Sequence, residues 1–121
     1  MEIAAKALLV ITGALHVFFL VLEMVLWSRP YGMKRFKMTP EKAEATRVLA
    51  ANQGLYNGFL AAGLFWSAMA AEPLATPLRL FFSGCVLVAG LYGGATAARS
   101  IFFFQAVPGA LALLASFLAR A

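Results

Sequence analysis

Four long apolar stretches leave this chain very few ways to fold. A helix needs roughly 20 apolar residues to cross about 30 Å of hydrocarbon, and lipid offers no hydrogen-bond partners to the backbone, so spanning segments form helices or closed barrels. Of the 121 residues, 63% are hydrophobic and 12% are charged, against about 45 to 50% and 25% in soluble domains. We therefore predict an all-α polytopic membrane protein, a four-transmembrane-helix bundle forming one domain over residues 1–121, with spans at about 3–27, 48–71, 78–98 and 101–118.

The long connection at 28–47 predicts the orientation of these spans. It carries the basic residues Arg29, Lys34, Arg35, Lys37, Lys42 and Arg47. Loops rich in lysine and arginine stay in the cytoplasm, which puts seven basic residues inside, counting Arg99, and leaves Lys6, Arg79 and Arg120 outside. The chain is therefore expected in the bacterial cytoplasmic (inner) membrane as a multi-pass protein with both termini outside.

The same connection suggests a partner and a helix start. Tyr31 and Phe36 alternate with its basic residues, a composition suited to contact with the lipid bilayer through anionic headgroups. This loop accounts for the pI of 9.9, so no nucleic-acid partner is expected. Downstream, Thr39, Pro40 and Glu41 have the order of an N-cap, a first-turn proline and an acidic first turn, which predicts that the second helix begins there.

The second span contains an unusual polar segment at 52–57. Three side-chain amides and a phenol, at Asn52, Gln53, Asn57 and Tyr56, interrupt an otherwise apolar run. A buried amide without a partner costs roughly 2 to 7 kcal/mol. These groups are therefore expected to bond to one another, to other helices or to a bound molecule.

The first span carries a matching polar stripe. Thr12, His16, Phe19 and Glu23 follow at intervals of four, three and four residues, which keeps them on one helix face, and ionisable residues in a span seldom face lipid. Depths estimated from 1.5 Å per residue put all four helices' polar groups in the cytoplasmic half of the membrane. This predicts a polar pocket that opens toward the cytoplasm, with the candidate ligand-binding residues His16, Glu23, Asn52, Gln53, Tyr56, Asn57, Tyr92 and Gln105. The alternative is a hydrogen-bond network that only holds the helices in register.

Individual residues leave further alternatives open. Glu23 either reaches headgroup water, or pairs with Arg29, Arg47 or Arg99, or acts as a proton acceptor or ligand contact. His16 is the sole histidine, and no zinc spacing, phosphate loop, dinucleotide fingerprint or nucleophile elbow is present. We therefore expect no metal and no cofactor, and no catalytic residue can be assigned.

Small residues recur at helix-packing intervals on the last two spans. Gly90, Gly94 and Ala98 on the third, and a series of alanines on the fourth, permit close contact between helices. They serve either packing within the bundle or self-association into a homo-oligomer. Pro108 is expected to kink the fourth span, and the lone Cys85 cannot form an intrachain disulfide.

Four motifs resemble a bacterial family of small four-span membrane proteins, the domain-of-unknown-function family DUF1304. They are Ala14-Leu15-His16 through Leu22-Glu23-Met24, Asn52-Gln53-Gly54-Leu55-Tyr56-Asn57-Gly58-Phe59-Leu60, Gly90-Leu91-Tyr92-Gly93 and Gln105-Ala106-Val107-Pro108-Gly109. The resemblance implies a four-helix bundle in the cytoplasmic membrane and no established activity. The small multidrug transporters share the length and a first-helix glutamate, but they lack the long basic loop, so that comparison is an analogy only.

Three functions follow as hypotheses from this reading. The first is a protein that binds or carries, with proton coupling, a small lipophilic or amphipathic molecule, with Glu23 as the switchable charge. The second is an enzyme acting on a lipid or quinone, with His16 or Glu23 as acid or base. The third is a structural or accessory membrane subunit in which the polar residues only join helices.

Overall fold

The computed structural model describes residues 1–120 and contains helices but no strands in that range. This confirms the all-α prediction. The helices are α1 (Glu2–Met24), α2 (Pro30–Arg35), α3 (Pro40–Met69), α4 (Ala75–Thr96) and α5 (Val107–Ala119), with a π-helical turn at Phe102–Ala106 directly before α5. The short α2 lies in the first part of the 28–47 connection, upstream of the predicted helix start at Thr39, where no helix is predicted.

Three of these helical stretches are long and apolar enough to cross a membrane. They are Glu2–Met24, Ala75–Thr96 and Phe102–Ala119. Helix α3 is the longest, with 30 residues, but its amides and its charged first turns lower its hydropathy below that of the other three. The structure therefore shows three apolar candidate spans rather than the four that the sequence predicts.

The start of α3 agrees with the predicted capping signals. The helix begins at Pro40, and the backbone N–H of Lys42 donates to the Thr39 hydroxyl at 3.2 Å. Thr39 therefore acts as the N-cap, satisfying one of the N–H groups that a helix start leaves without a partner.

The chain divides into two compact units. The larger unit comprises Met1–Leu15 and the described part of Leu60–Ala121, and the smaller unit comprises His16–Phe59. The core of the larger unit is a buried cluster of Leu9, Leu64, Ala68, Val86 and Ala112. The smaller unit contains the second half of α1, all of α2 and the first part of α3.

In the larger unit, small residues bring α4 against the π-helical turn and α5. A Cβ added at Gly90 would collide with the backbone of Ala106, and one added at Gly109 would lie 2.8 Å from the backbone nitrogen of Leu87. These glycines let the two backbones approach to a distance that any side chain would prevent. The predicted small-residue faces thus serve packing within one chain; self-association remains a prediction.

The π-helical turn lies just before Pro108, where the sequence predicts a kink. The backbone N–H of Val107 donates to the carbonyl of Phe102, five residues earlier. Proline has no N–H to donate, and its ring would crowd the carbonyl four residues before it. The wider π-helical turn moves that carbonyl away from the ring. Pro108 therefore accounts for the π geometry of the turn before it.

Candidate functional site

Within the smaller unit, a hydrogen bond joins a polar residue of α1 directly to one of α3. The Asn57 amide donates from Nδ2 to Oε1 of Glu23 at 2.5 Å. One turn earlier on α3, a Cβ at Gly54 would lie 2.6 Å from Cγ of Met24 and 3.1 Å from Cβ of Glu23. The glycine therefore lets the helices approach closely enough for a short amide side chain to reach the carboxylate.

The Asn57 amide is a neutral hydrogen-bond donor to the Glu23 carboxylate. Glu23 is half-buried, and within the smaller unit it makes no ion pair. Arg47 instead pairs with Glu44, Nε to Oε1 at 3.3 Å on the exposed surface. An acidic group with a single neutral donor keeps acceptor capacity for a further hydrogen bond.

Next to this contact, α3 presents a polar side that we define as Asn52, Gln53, Tyr56 and Asn57. At 100° per residue, these four side chains cover an arc of about 140°. Asn57 is buried at one edge, while Asn52, Gln53 and Tyr56 are exposed. The Asn52 amide donates a hydrogen bond from Nδ2 to the Val48 carbonyl at 2.9 Å. The Tyr56 ring lies edge-on to the Phe59 ring, with 6.0 Å between the ring centroids.

The stripe on α1 follows the predicted periodicity. Thr12 and His16 are buried, whereas Phe19 and Glu23 are half-buried. The Thr12 hydroxyl donates to the Leu8 carbonyl at 2.7 Å, and the His16 ring meets Phe19 edge-on at 5.3 Å. His16 is therefore part of a packed interior, with no exposed surface of its own.

The two remaining predicted site residues lie in the larger unit. Tyr92 on α4 is 72% exposed, and Gln105 is half-buried within the π-helical turn. Inside the smaller unit, a direct hydrogen bond joins two of the predicted residues, Glu23 and Asn57. Within residues 1–120, no group of three His, Cys, Asp or Glu side chains could hold a metal ion.

The larger unit contains a polar cluster that the sequence does not predict. The Arg79 guanidinium donates from both terminal nitrogens to the Glu2 carboxylate, at 2.9 Å each, and from Nε to the Ser67 carbonyl at 3.1 Å. Arg79 is 3% exposed. The sequence signal for this cluster is an arginine within the first turn and a half of an apolar helix, which positive-inside counting treats only as an external charge.

Comparisons with known proteins find a family model and a relative that match this chain. The profile of a family described as "Protein of unknown function (DUF1304)" matches residues 10–117. A protein of Lactococcus lactis subsp. lactis named "Uncharacterized protein YpaA" is 34% identical over 107 residues, covering 86% of this chain and 89% of the relative. No solved structure matches the chain.

Proposed function

The chain belongs to the DUF1304 family, as its motifs suggested, and from its own geometry we propose that it binds a small amphipathic molecule within the membrane. The observation that carries this proposal is the hydrogen bond between Glu23 and Asn57 at the edge of the exposed polar side of α3. Lipid tails cannot satisfy amides, a phenol and a carboxylate, whereas a ligand with polar groups can.

The proposal includes a fourth span formed by α3. At 1.5 Å per residue, its 30 residues extend about 45 Å, more than the roughly 30 Å of hydrocarbon. The first turns, which contain Glu41, Lys42 and Glu44, would then lie in cytoplasmic water, and the remainder would cross. With four crossings of the bacterial cytoplasmic membrane, both termini are outside and the basic loop is inside, as the charge distribution favours.

Cysteine labelling tests this topology. In a Cys85→Ser background, Glu41→Cys and Ala71→Cys place single thiols at exposed positions beyond the two ends of the proposed span. In spheroplasts treated with a membrane-impermeant maleimide, we expect labelling of Ala71→Cys and protection of Glu41→Cys until the membrane is permeabilised. Labelling of both thiols from outside would exclude the fourth span. Labelling of Glu41→Cys alone would show that the protein has the opposite orientation in the membrane.

The chemistry of the site indicates what kind of molecule it would hold. The Glu23 carboxylate accepts one hydrogen bond from a neutral amide and can accept more, so it favours a ligand group that donates hydrogen bonds. The Gln53 amide and the Tyr56 phenol are exposed on the same helix and can orient that group, while apolar surroundings accommodate a hydrocarbon tail. Because a carboxylate can exchange a proton, ligand binding and protonation can be coupled, which is the basis for a proton-coupled carrier.

The proposal is tested by replacing the carboxylate with its neutral isostere. Full-length protein in lipid nanodiscs is titrated with a dansyl-labelled long-chain amine, and binding is followed by fluorescence. Hydrogen bonds to charged groups contribute about 1.5 to 3 kcal/mol, and 1.4 kcal/mol corresponds to tenfold in affinity. We therefore expect Glu23→Gln to weaken binding by about tenfold or more.

The matched control is Glu44→Gln, which removes the same charge from an exposed position on α3 and should leave probe affinity unchanged. Unchanged affinity in Glu23→Gln would refute the binding role. A purely structural role for Glu23 predicts a lower unfolding temperature with unchanged affinity. Equal losses in both variants would show a general charge effect instead of a site.

A further inference from the structure

The short helix α2 is held firmly within the smaller unit. Gly32 is buried where a Cβ would collide with the carbonyl of Leu26, so the α2 backbone lies directly against the turn that follows α1. The Trp27 indole donates from Nε1 to the Thr46 hydroxyl at 3.0 Å, linking the same region to α3. Trp27 also packs against Phe36, with 4.9 Å between ring centroids.

This fixed helix carries three donor side chains around one hollow. Tyr31, Lys34 and Arg35 line a surface cavity of about 360 Å³, and all three are exposed. Their spacing of three and four residues places them on one face of the helix. The Arg35 guanidinium also lies 5.8 Å from the centre of the Phe36 ring, a contact that favours a defined orientation of the cation.

We propose that this hollow binds the phosphate of an anionic lipid headgroup. Its lining residues supply a phenol, an ammonium and a guanidinium, all of which donate hydrogen bonds, and two of which are positively charged. No acidic side chain lines the hollow. A phosphodiester is the membrane group that matches this charge and donor pattern.

The depth expected for α2 selects the lipid over a soluble phosphate. Trp and Tyr concentrate at the membrane interface, where their polar edges reach headgroups, and Trp27 and Tyr31 flank the start of α2. The other basic residues of the loop attract anionic lipid diffusely. The hollow adds a site for one headgroup, and this inference does not depend on the binding function proposed for Glu23.

Native mass spectrometry of the full-length protein in detergent tests the site by counting bound phosphatidylglycerol. The double variant Lys34→Gln/Arg35→Gln removes both charges of the hollow. Lys37→Gln/Lys42→Gln removes two nearby charges, one just after α2 and one in the first turn of α3, that do not line the hollow. At about 1 kcal/mol per basic residue, or roughly fivefold each, we expect the hollow variant to lose about 25-fold in affinity. The control, whose two side chains do not line the hollow, should lose less than about threefold.

Three outcomes would overturn the proposal. Equal losses in the two double variants would mean diffuse attraction, and equal binding of phosphatidylglycerol and zwitterionic phosphatidylcholine would mean that the charge of the headgroup is not recognised. Competition by inorganic phosphate at the affinity shown by the lipid would identify a soluble phosphate as the ligand. The lipid site is supported if one phosphatidylglycerol binds more tightly than phosphatidylcholine does and if this preference is lost only in the hollow variant.

Discussion

Replacing Gly90 with alanine is expected to destabilise the larger unit by about 1 to 3 kcal/mol, the usual cost of overpacking a well-filled interior. The added methyl group would occupy the space of the Ala106 backbone. A backbone cannot rotate away as a flexible side chain can, so α4 and the π-helical turn must separate. The measurement is thermal or denaturant unfolding of the purified protein in detergent.

Helix α4 offers a matched control for this substitution. Gly84 lies on the same helix, and a Cβ there would meet no atom within 4 Å. Gly84→Ala is therefore expected to leave stability unchanged or raise it slightly, because alanine favours the helix over glycine. Full stability of Gly90→Ala would contradict the close approach, and an equal loss at both positions would point to a general effect on α4.

The spacing of the glycines in α4 predicts that a close-packing face exists, but it does not predict which segment packs against that face. Residues Gly90 and Gly94 at an interval of four predict a face that admits a close neighbour. That interval says nothing about which segment packs there, because any small-residue surface would fit. The structure places the π-helical turn at Phe102–Ala106 against it, and this turn owes its shape to Pro108, whose effect the sequence predicted only as a kink.

The candidate site was predictable to a similar degree. The interval from His16 to Glu23 gave α1 a defined polar face, and the structure buries His16 and half-buries Glu23. The amides of α3 are spread over an arc of about 140°, so their pattern alone does not show which of them faces α1. Which of them turned inward depended on Gly54, whose missing side chain brings Asn57 to Glu23.

The burial of Arg79 is the feature that the sequence pattern predicts least well. Positive-inside counting treats an arginine near a span end as a mark of topology, because exposed charge is its usual state. The burial of Arg79 depends instead on the Glu2 carboxylate, 77 positions earlier, and on the Ser67 carbonyl near the end of α3. Neither partner is adjacent in sequence, so no local pattern reveals them.

Arg79→Ala is accordingly expected to cost about 2 kcal/mol or more of unfolding free energy. Removing one partner of a fully buried ion pair costs about 3 to 5 kcal/mol, and the expected value is smaller because the Glu2 side chain is 52% exposed and can recover water. The Ser67 carbonyl, in the last turn of α3, also loses its Arg79 donor, and orphan carbonyls at helix ends require such partners. Unfolding in detergent measures the loss.

Two companion variants separate the buried contact from simple charge. Lys6 pairs with the same Glu2 carboxylate at 3.3 Å but is about half exposed, so Lys6→Ala should cost less than about 1 kcal/mol, as surface ion pairs do. Arg79→Lys keeps the charge but cannot form the fork to both carboxylate oxygens together with the Ser67 bond, so it should remain clearly destabilised. If Arg79→Lys were as stable as the parent protein, its positive charge alone would account for the contribution of Arg79 to stability. If Arg79→Ala cost no more than Lys6→Ala, the buried geometry would contribute nothing to stability.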